Sequence, residues 1–192
     1  MKTTLLSMII ILITATACAG FIRGPFSGRV IDAETKEPIE GAVVLVEWNK
    51  RVVTGSPGGP TTYLQEIKET LTNKNGEFYI EEYKGFTINP LAKIEDPEFL
   101  IFKPGYCVLP KTFSIPACND MKPKENYYDA LVKGGTLVEL PRLKTREERR
   151  MVSVGPEGEK SDWKKQKQFI KLIRQEWEYI TGKPAGDLYK VE

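Results

Sequence analysis

The ten residues LTNKNGEFYI, positions 71–80, decide how the chain is read. On either side of Asn73-Lys74-Asn75-Gly76, apolar and polar residues alternate with the two-residue period of a half-buried strand. Gly76 follows Asn75 and can take φ > 0 without straining a β-carbon, so the spacing predicts two strands folded on a tight turn. Phe78 then points into a core while Glu77 faces water. Asn73, Asn75 and Glu77 have something of the oxygen-rich spacing of a calcium loop. Such a loop needs further ligands and a distal Glu at a fixed offset, which do not follow here, and a plain turn is expected.

Outward from this turn the chain continues in short β-type runs. SGRVID (27–32) alternates weakly, and AVVLVEW (42–48) is β-branched and apolar enough for a central strand. The polar AETKEPIEG (33–41) connects them. Further runs occupy 63–72, 77–83, 99–102 and TLVEL at 136–140, the last closing before Pro141. Several short strands punctuated by Gly and Pro predict a mainly β fold, a β-sandwich. RVVTGSPGGPTTY (51–63) is read as a loop; its Gly-Gly pair lacks the Gly-Lys-Ser/Thr that a phosphate cradle requires. NDMKPKENYYDALVKGG (119–135) has no clean period and is read as a long surface excursion, a place for partner contacts.

Three strings carry a family resemblance: FSGRVIDAETKEPIEGAVVLVEW (26–48), TLTNKNGEFYI (70–80) and LIFKPGYCVLP (100–110). Their landmarks run in order as Gly28, Val30, Asp32; Pro38, Gly41, Ala42, Val44; Thr72, Asn73, Gly76, Phe78; and Gly105, Tyr106. The set resembles the carboxypeptidase regulatory-like domain. The resemblance implies an antiparallel Ig/transthyretin-like β-sandwich over 26–141, of a kind that accompanies enzymes, receptors or transporters without itself reacting.

The chain opens MKTTLLSMIIILITATACAG. Lys2, a short apolar run and then small residues have the layout of a secretory signal, and the run is too short for a comfortable membrane span. Ala15-Thr16-Ala17 suits an ordinary signal peptidase, and followed by Cys18 it resembles the lipobox of bacterial lipoproteins, with Ala15 where Leu or Val is usual. On that reading 1–17 is a signal peptide, Cys18 is acylated, and 18–25 is a tether. The resemblance to Gram-negative lipoproteins implies an outer-membrane location, with Ala19 where inner-membrane retention has Asp; a soluble periplasmic or secreted product is the alternative.

The chain has three cysteines. With Cys18 acylated, or removed by cleavage after Ala19, Cys107 and Cys118 remain as an even pair in an oxidising compartment and are expected to form a structural disulfide. A redox pair needs closer spacing, such as Cys-x-x-Cys.

The last segment, 142–192, is expected to be a helical extension. Thr145-Arg-Glu-Glu148 fits a capping box opening a short helix. SDWKKQKQFIKLIRQEWEYITG (161–182) is the clearest helix, with Ser161 as N-cap and Gly182 ending it. Trp163, Ile170, Ile173, Trp177 and Ile180 share one face, with Phe169 flanking. Lys164, Lys167, Lys171 and Arg174 form a basic stripe on the other side. Either the apolar face docks on the β body with the lysines solvated, or the stripe meets anionic headgroups or an acidic partner.

There is no histidine, which removes the commonest general base and metal ligand. A formal net charge of +2 lacks the strongly basic footprint of nucleic-acid binding. Carboxylates are too scattered to nominate a general acid and base. The resemblance to regulatory-like domains, with the lipobox-like leader, implies a non-catalytic, lipid-anchored cell-envelope protein without cofactors. Its β-sandwich binds or scaffolds another envelope protein. The alternatives are a glycan- or ligand-binding module, with Trp48, Tyr63, Tyr127 and Tyr128 as stacking aromatics, or an accessory subunit of an envelope enzyme or transporter.

Overall fold

The computed structural model describes residues 19–53, 59–110, 115–118, 130–131, 134–152 and 154–191, with the side chains of 19–22 left aside. Cys18, Tyr127 and Tyr128 lie outside the described residues. The strands are β1 (Ala19–Arg23), β2 (Phe26–Asp32), β3 (Val43–Val52), β4 (Thr61–Leu71), β5 (Glu77–Ile80), β6 (Tyr83–Thr87), β7 (Ala92–Ile94), β8 (Glu98–Phe102) and β9 (Thr136–Leu140). Short 3₁₀ turns cover Pro116–Cys118 and Asp162–Lys165, and the helices are α1 (Arg146–Met151) and α2 (Lys167–Thr181).

The turn at 73–76 joins two sheets rather than two partners of one sheet, which corrects the hairpin expectation. β4 pairs antiparallel with β3, whereas β5 pairs antiparallel with β2. The alternating pattern identifies both strands, but alternation says nothing about which neighbour a strand takes. What fixes the crossing is local. Asn73 Oδ1 accepts the backbone N–H groups of Asn75 and Glu77 (both 2.9 Å), and Gly76 has φ +75°. A β-carbon on Gly76 would lie 2.3 Å from the carbonyl oxygen of Val30. Val30 N–H in turn donates to Gly76 O (2.8 Å), so the turn is laced onto β2.

One sheet has the order β5-β2-β9, and the other is built on β3, with β4 along one edge and β7 and β8 along the other. The β2–β9 pair is parallel, a departure from the all-antiparallel expectation. Parallel neighbours require a crossover, and β9 reaches β2 only after the long excursion that follows β8. β1 and β6 form a two-stranded ribbon that continues the β2–β5 pair past a short break on each strand. Thus the expected single strand over 77–83 is two, and β1 and β7 add to the expected set. β3 and β4 also extend into the expected 51–63 loop, through Val52 and from Thr61.

Most buried apolar residues of both sheets belong to one hydrophobic cluster. Phe26 of β2 meets Trp48 of β3 (ring centroids 6.2 Å) and Phe99 of β8 (5.0 Å, edge-on). On the opposite face of the β3 sheet, Phe102 meets Phe169 of α2 at 5.9 Å. β3 is therefore covered on both faces, which is why Val43, Val44, Leu45 and Val46 are all buried and read as an unbroken apolar run. Gly28 is required by packing as well: a β-carbon there would lie 2.8 Å from Cζ of Phe78.

Candidate functional site

The basic stripe nominated from sequence lies on and beside α2, so the placement of this helix comes first. The single helix expected from 161 to 182 is interrupted. Ser161 makes no side-chain cap bond, a 3₁₀ turn follows, and α2 starts only at Lys167. The cause is Gln166, which is fully buried and exchanges hydrogen bonds with the backbone of Glu157 (2.9 and 2.8 Å). In place of Ser161, the Glu69 carboxylate of β4 accepts the N–H groups of Gln168 and Phe169 (2.8 and 2.9 Å). A carboxylate there satisfies orphan donors and complements the helix dipole. Gly182 closes the helix in the left-handed conformation, as expected.

The face that α2 buries is rotated from the expected one. Phe169, Leu172 and Ile173 join the core cluster, while Trp177 is 45% exposed. Glu176 is buried too. Its two oxygens accept Nε and Nη2 of Arg149 from α1, with Nε to Oε1 at 2.7 Å, and the guanidinium lies 3.5 Å from the centre of the Tyr179 ring. A polar residue at a core-facing helical position hides the true face from a periodicity argument; the partner at 149 is not visible in the helix itself.

Lys167, Lys171 and Arg174 line a shallow groove of about 400 Å³ together with Ile170, Tyr189 and Val191. Arg174 is committed to the fold: it donates to the carbonyls of Gly186 (2.8 Å) and Leu188 (3.2 Å), strapping the C-terminal tail to the helix. The tail also brings Tyr189 edge-on to Trp163, at 5.5 Å. Lys164 stands in the 3₁₀ turn and does not line the groove, and its neighbour Lys165 pairs with Glu66 at 2.6 Å. Lys167 and Lys171 are the exposed cations of the stripe beside the groove. A second groove of about 320 Å³ runs between the other side of α2 and the chain after α1, lined by Val152, Val154, Trp177, Ile180 and Leu188.

The other polar cluster joins Asp32, Tyr106 and Arg142, residues far apart in sequence. Asp32 is 2% exposed. Its Oδ1 accepts Glu34 N–H (2.8 Å) and Thr35 N–H (3.1 Å), while Oδ2 accepts the Tyr106 hydroxyl (3.1 Å) and Arg142 (3.1 and 3.2 Å). Burial alone raises this carboxyl, but the backbone donors at Thr35 and Glu34, with Arg142 and Tyr106, outweigh it and hold Asp32 below its ordinary range. The cluster is saturated with partners and holds the end of β2 to the chain after β8 and β9.

Glu47 is the reverse case. Desolvation, then the charges of Glu157 and Glu98, push its carboxyl up to about 7. Glu98 is its direct cross-strand neighbour, so like charges share one face of the sheet. Among the described residues no group of three or more His, Cys, Asp or Glu is placed to hold a metal ion.

Cys107 and Cys118 form a disulfide, and both are buried. It ties the chain after β8 to the 3₁₀ turn Pro116–Cys118. Trp48 is fully buried against Phe26 and Tyr83, so it packs the core and presents nothing for a sugar to stack on. Tyr63 is 52% exposed on β4, alone of the four aromatics at a described surface. The oxygens of Asn73 and Glu77 are engaged within the turn, where Asn73 Nδ2 donates to Glu77 (3.1 Å). No helix among the described residues is long and apolar enough to cross a membrane. Comparison with known proteins finds no matching family, no matching curated protein and no matching solved structure.

Proposed function

We propose that the chain is a non-catalytic, lipid-anchored protein of the bacterial cell envelope. Its β body, a carboxypeptidase regulatory-like sandwich of Ig/transthyretin type, binds or scaffolds another envelope protein. The observation that carries this reading is the N-terminal sequence: a basic residue, a short apolar run and small residues leading to Cys18. Two further features support it. The remaining cysteines are used up in a buried disulfide, as suits an oxidising compartment. The landmarks Asp32 and Tyr106 meet in one hydrogen-bonded cluster, as a shared structural role requires.

The protein-contact surface on this reading is the α2 face, where Lys167 and Lys171 flank one groove and the exposed Trp177 lies in the other. Exposed aromatic and basic residues beside apolar grooves suit a partner with apolar and acidic groups. Photo-crosslinking in intact cells tests it. A benzophenone side chain at Trp177 or Lys171 is expected to trap one discrete heteromeric product, and the same group at Lys74 is expected to trap none. Equal, diffuse labelling from all three positions would remove the scaffolding role.

A further inference from the structure

We propose that the end of the β body formed by the β6–β7 turn is a membrane-contact surface, seated on an anionic phospholipid bilayer beside the N-terminal anchor. The lipid at Cys18 in this proposal rests on the anchoring reading above; the apolar and charge pattern stands independently of it.

Five strand ends converge there. Val52 at the end of β3 is in register with Thr61 at the start of β4 and with Ala92 at the start of β7. Thr87 at the end of β6 is in register with Ala19 at the start of β1. Residues 88–91 link β6 to β7, and the turn is closed by main-chain groups. Val53 N–H donates to Leu91 O (3.0 Å), and Asn89 Oδ1 accepts Leu91 N–H (2.9 Å). The apolar side chains on this end face outward: Phe86 is 70% exposed, Ile88 65%, Leu91 61% and Val53 57%. Isolated exposed apolar residues are ordinary, but four on one turn and the strand ends that flank it make a surface that water disfavours.

The charge around this tip is predominantly basic, with two of the cations ion-paired to carboxylates set further back. Stretches 19–25, 49–53, 59–63 and 83–93 hold five basic residues, Arg23, Lys50, Arg51, Lys84 and Lys93, and no Asp or Glu. Arg51 and Lys93 face each other in the β3–β7 register, one step behind Val52 and Ala92. Lys84 stands two residues behind Phe86, and the carboxylates that pair with Arg51 and Lys84 are Glu95 and Glu82, outside those stretches. An apolar tip with a basic collar is the arrangement that buries side chains at the headgroup boundary while cations reach anionic lipid.

The chain's own connectivity selects the bilayer as the occupant. Ala19 already belongs to a strand, so an acylated Cys18 would have its α-carbon only about 3.8 Å from that of Ala19. With 19–23 hydrogen-bonded to β6, the anchor has no slack. A lipid inserted at that point holds this end of the body, rather than the 73–76 end, against the membrane.

Electron paramagnetic resonance on the full anchored chain tests the proposal, in vesicles of phosphatidylcholine and phosphatidylglycerol. Spin labels are placed by Ile88→Cys, Leu91→Cys and, at the far end, Lys74→Cys, all at exposed positions. The ratio of collisions with oxygen to collisions with a water-soluble nickel chelate is expected to be at least about threefold higher at 88 and 91 than at 74. Equal ratios at all three positions on vesicle-bound protein would overturn the proposal. Protection of 88 and 91 from both reagents would also overturn it, in favour of a protein occupant. Failure of the anchoring reading appears separately, as a mature N-terminal peptide of the unsubstituted chain that carries no acyl mass. If that chain still binds vesicles with deep labels at 88 and 91, the tip is a membrane surface by itself; if it does not bind, the tip proposal falls.

Discussion

The two ends of the β body handle their exposed groups in opposite ways. At the 73–76 end, nearly every polar group is answered. Thr72 Oγ1 donates to Ile39 O (2.6 Å) and accepts Ala42 N–H (2.8 Å), and Asp32 holds Tyr106 and Arg142. The disulfide lies near that end, and α1 is closed by the Thr145–Glu148 capping box. At the β6–β7 end, backbone bonds and Asn89 shape a turn whose largest side chains stay mostly exposed. One end consumes its chemistry in stability, and the other leaves apolar surface over for contact. Substitutions should therefore separate the ends cleanly.

The largest effect is expected from Gly76→Val. The new side chain combines a left-handed backbone with overlap at Val30 O, and unfolding in urea should show a loss of about 3 kcal/mol or more. An unchanged midpoint would mean that the turn is not laced to β2. Next comes Asp32→Asn, which leaves Arg142 and Tyr106 short of their shared acceptor. About 2 kcal/mol of stability should go at neutral pH, discounted because Arg142 is half-exposed. Because the folded carboxyl titrates below its ordinary 3.8, the native contribution is present above that value and fades as pH falls through the folded one. Chemical denaturation along an acid series should show the gap between the two proteins closing in that window; a constant gap would point to lost packing instead.

Glu47 lies between the two ends and carries the opposite sign. Its folded carboxyl is raised from 4.5 to about 7, so the fold binds the proton more tightly than the unfolded chain does. Stability falls as pH rises across that interval, and the loss is complete above it. Glu47→Gln is expected to stabilise by about 1–2 kcal/mol at pH 8 after solvent screening, and by nothing at pH 4. Calorimetry at the two pH values distinguishes this from a pH-independent gain. The smallest effect belongs to the open end: Phe86→Ser with Ile88→Ser should move stability by less than about 0.5 kcal/mol, because neither side chain covers the core. A large fall in the melting temperature would show that the tip is structural.

Much of the body was legible because β-branched runs and turn glycines act locally. Residues 27–32, 42–48, 99–102 and 136–140 all lie within or alongside strands, and Gly76 and Phe78 take the backbone and the burial assigned to them. Pairing was not legible. The residues at 71–80 alternate identically whether the strands share a sheet or cross between two, and the deciding contact, Val30 O against Gly76, is more than forty residues away. β1 is hidden because AGFIR directly follows the apolar N-terminal run, and β7 because three residues carry no period. On α2 the basic stripe was visible, but its division was not. Arg174 is spent on the tail's carbonyls, and the core-facing Glu176 shifted the apparent apolar face toward Trp177. The tip escaped for a simpler reason. Phe86, Ile88 and Leu91 look like core residues until exposure is known.

The proposed envelope role depends on where the mature chain starts and what it carries. Mass spectrometry of the N-terminal peptide from isolated envelope membranes measures this directly. A peptide beginning at Cys18 with the mass of a diacylglyceryl group and an amide-linked acyl chain is the predicted result. A soluble cytosolic product retaining Met1 and the whole apolar leader would contradict it.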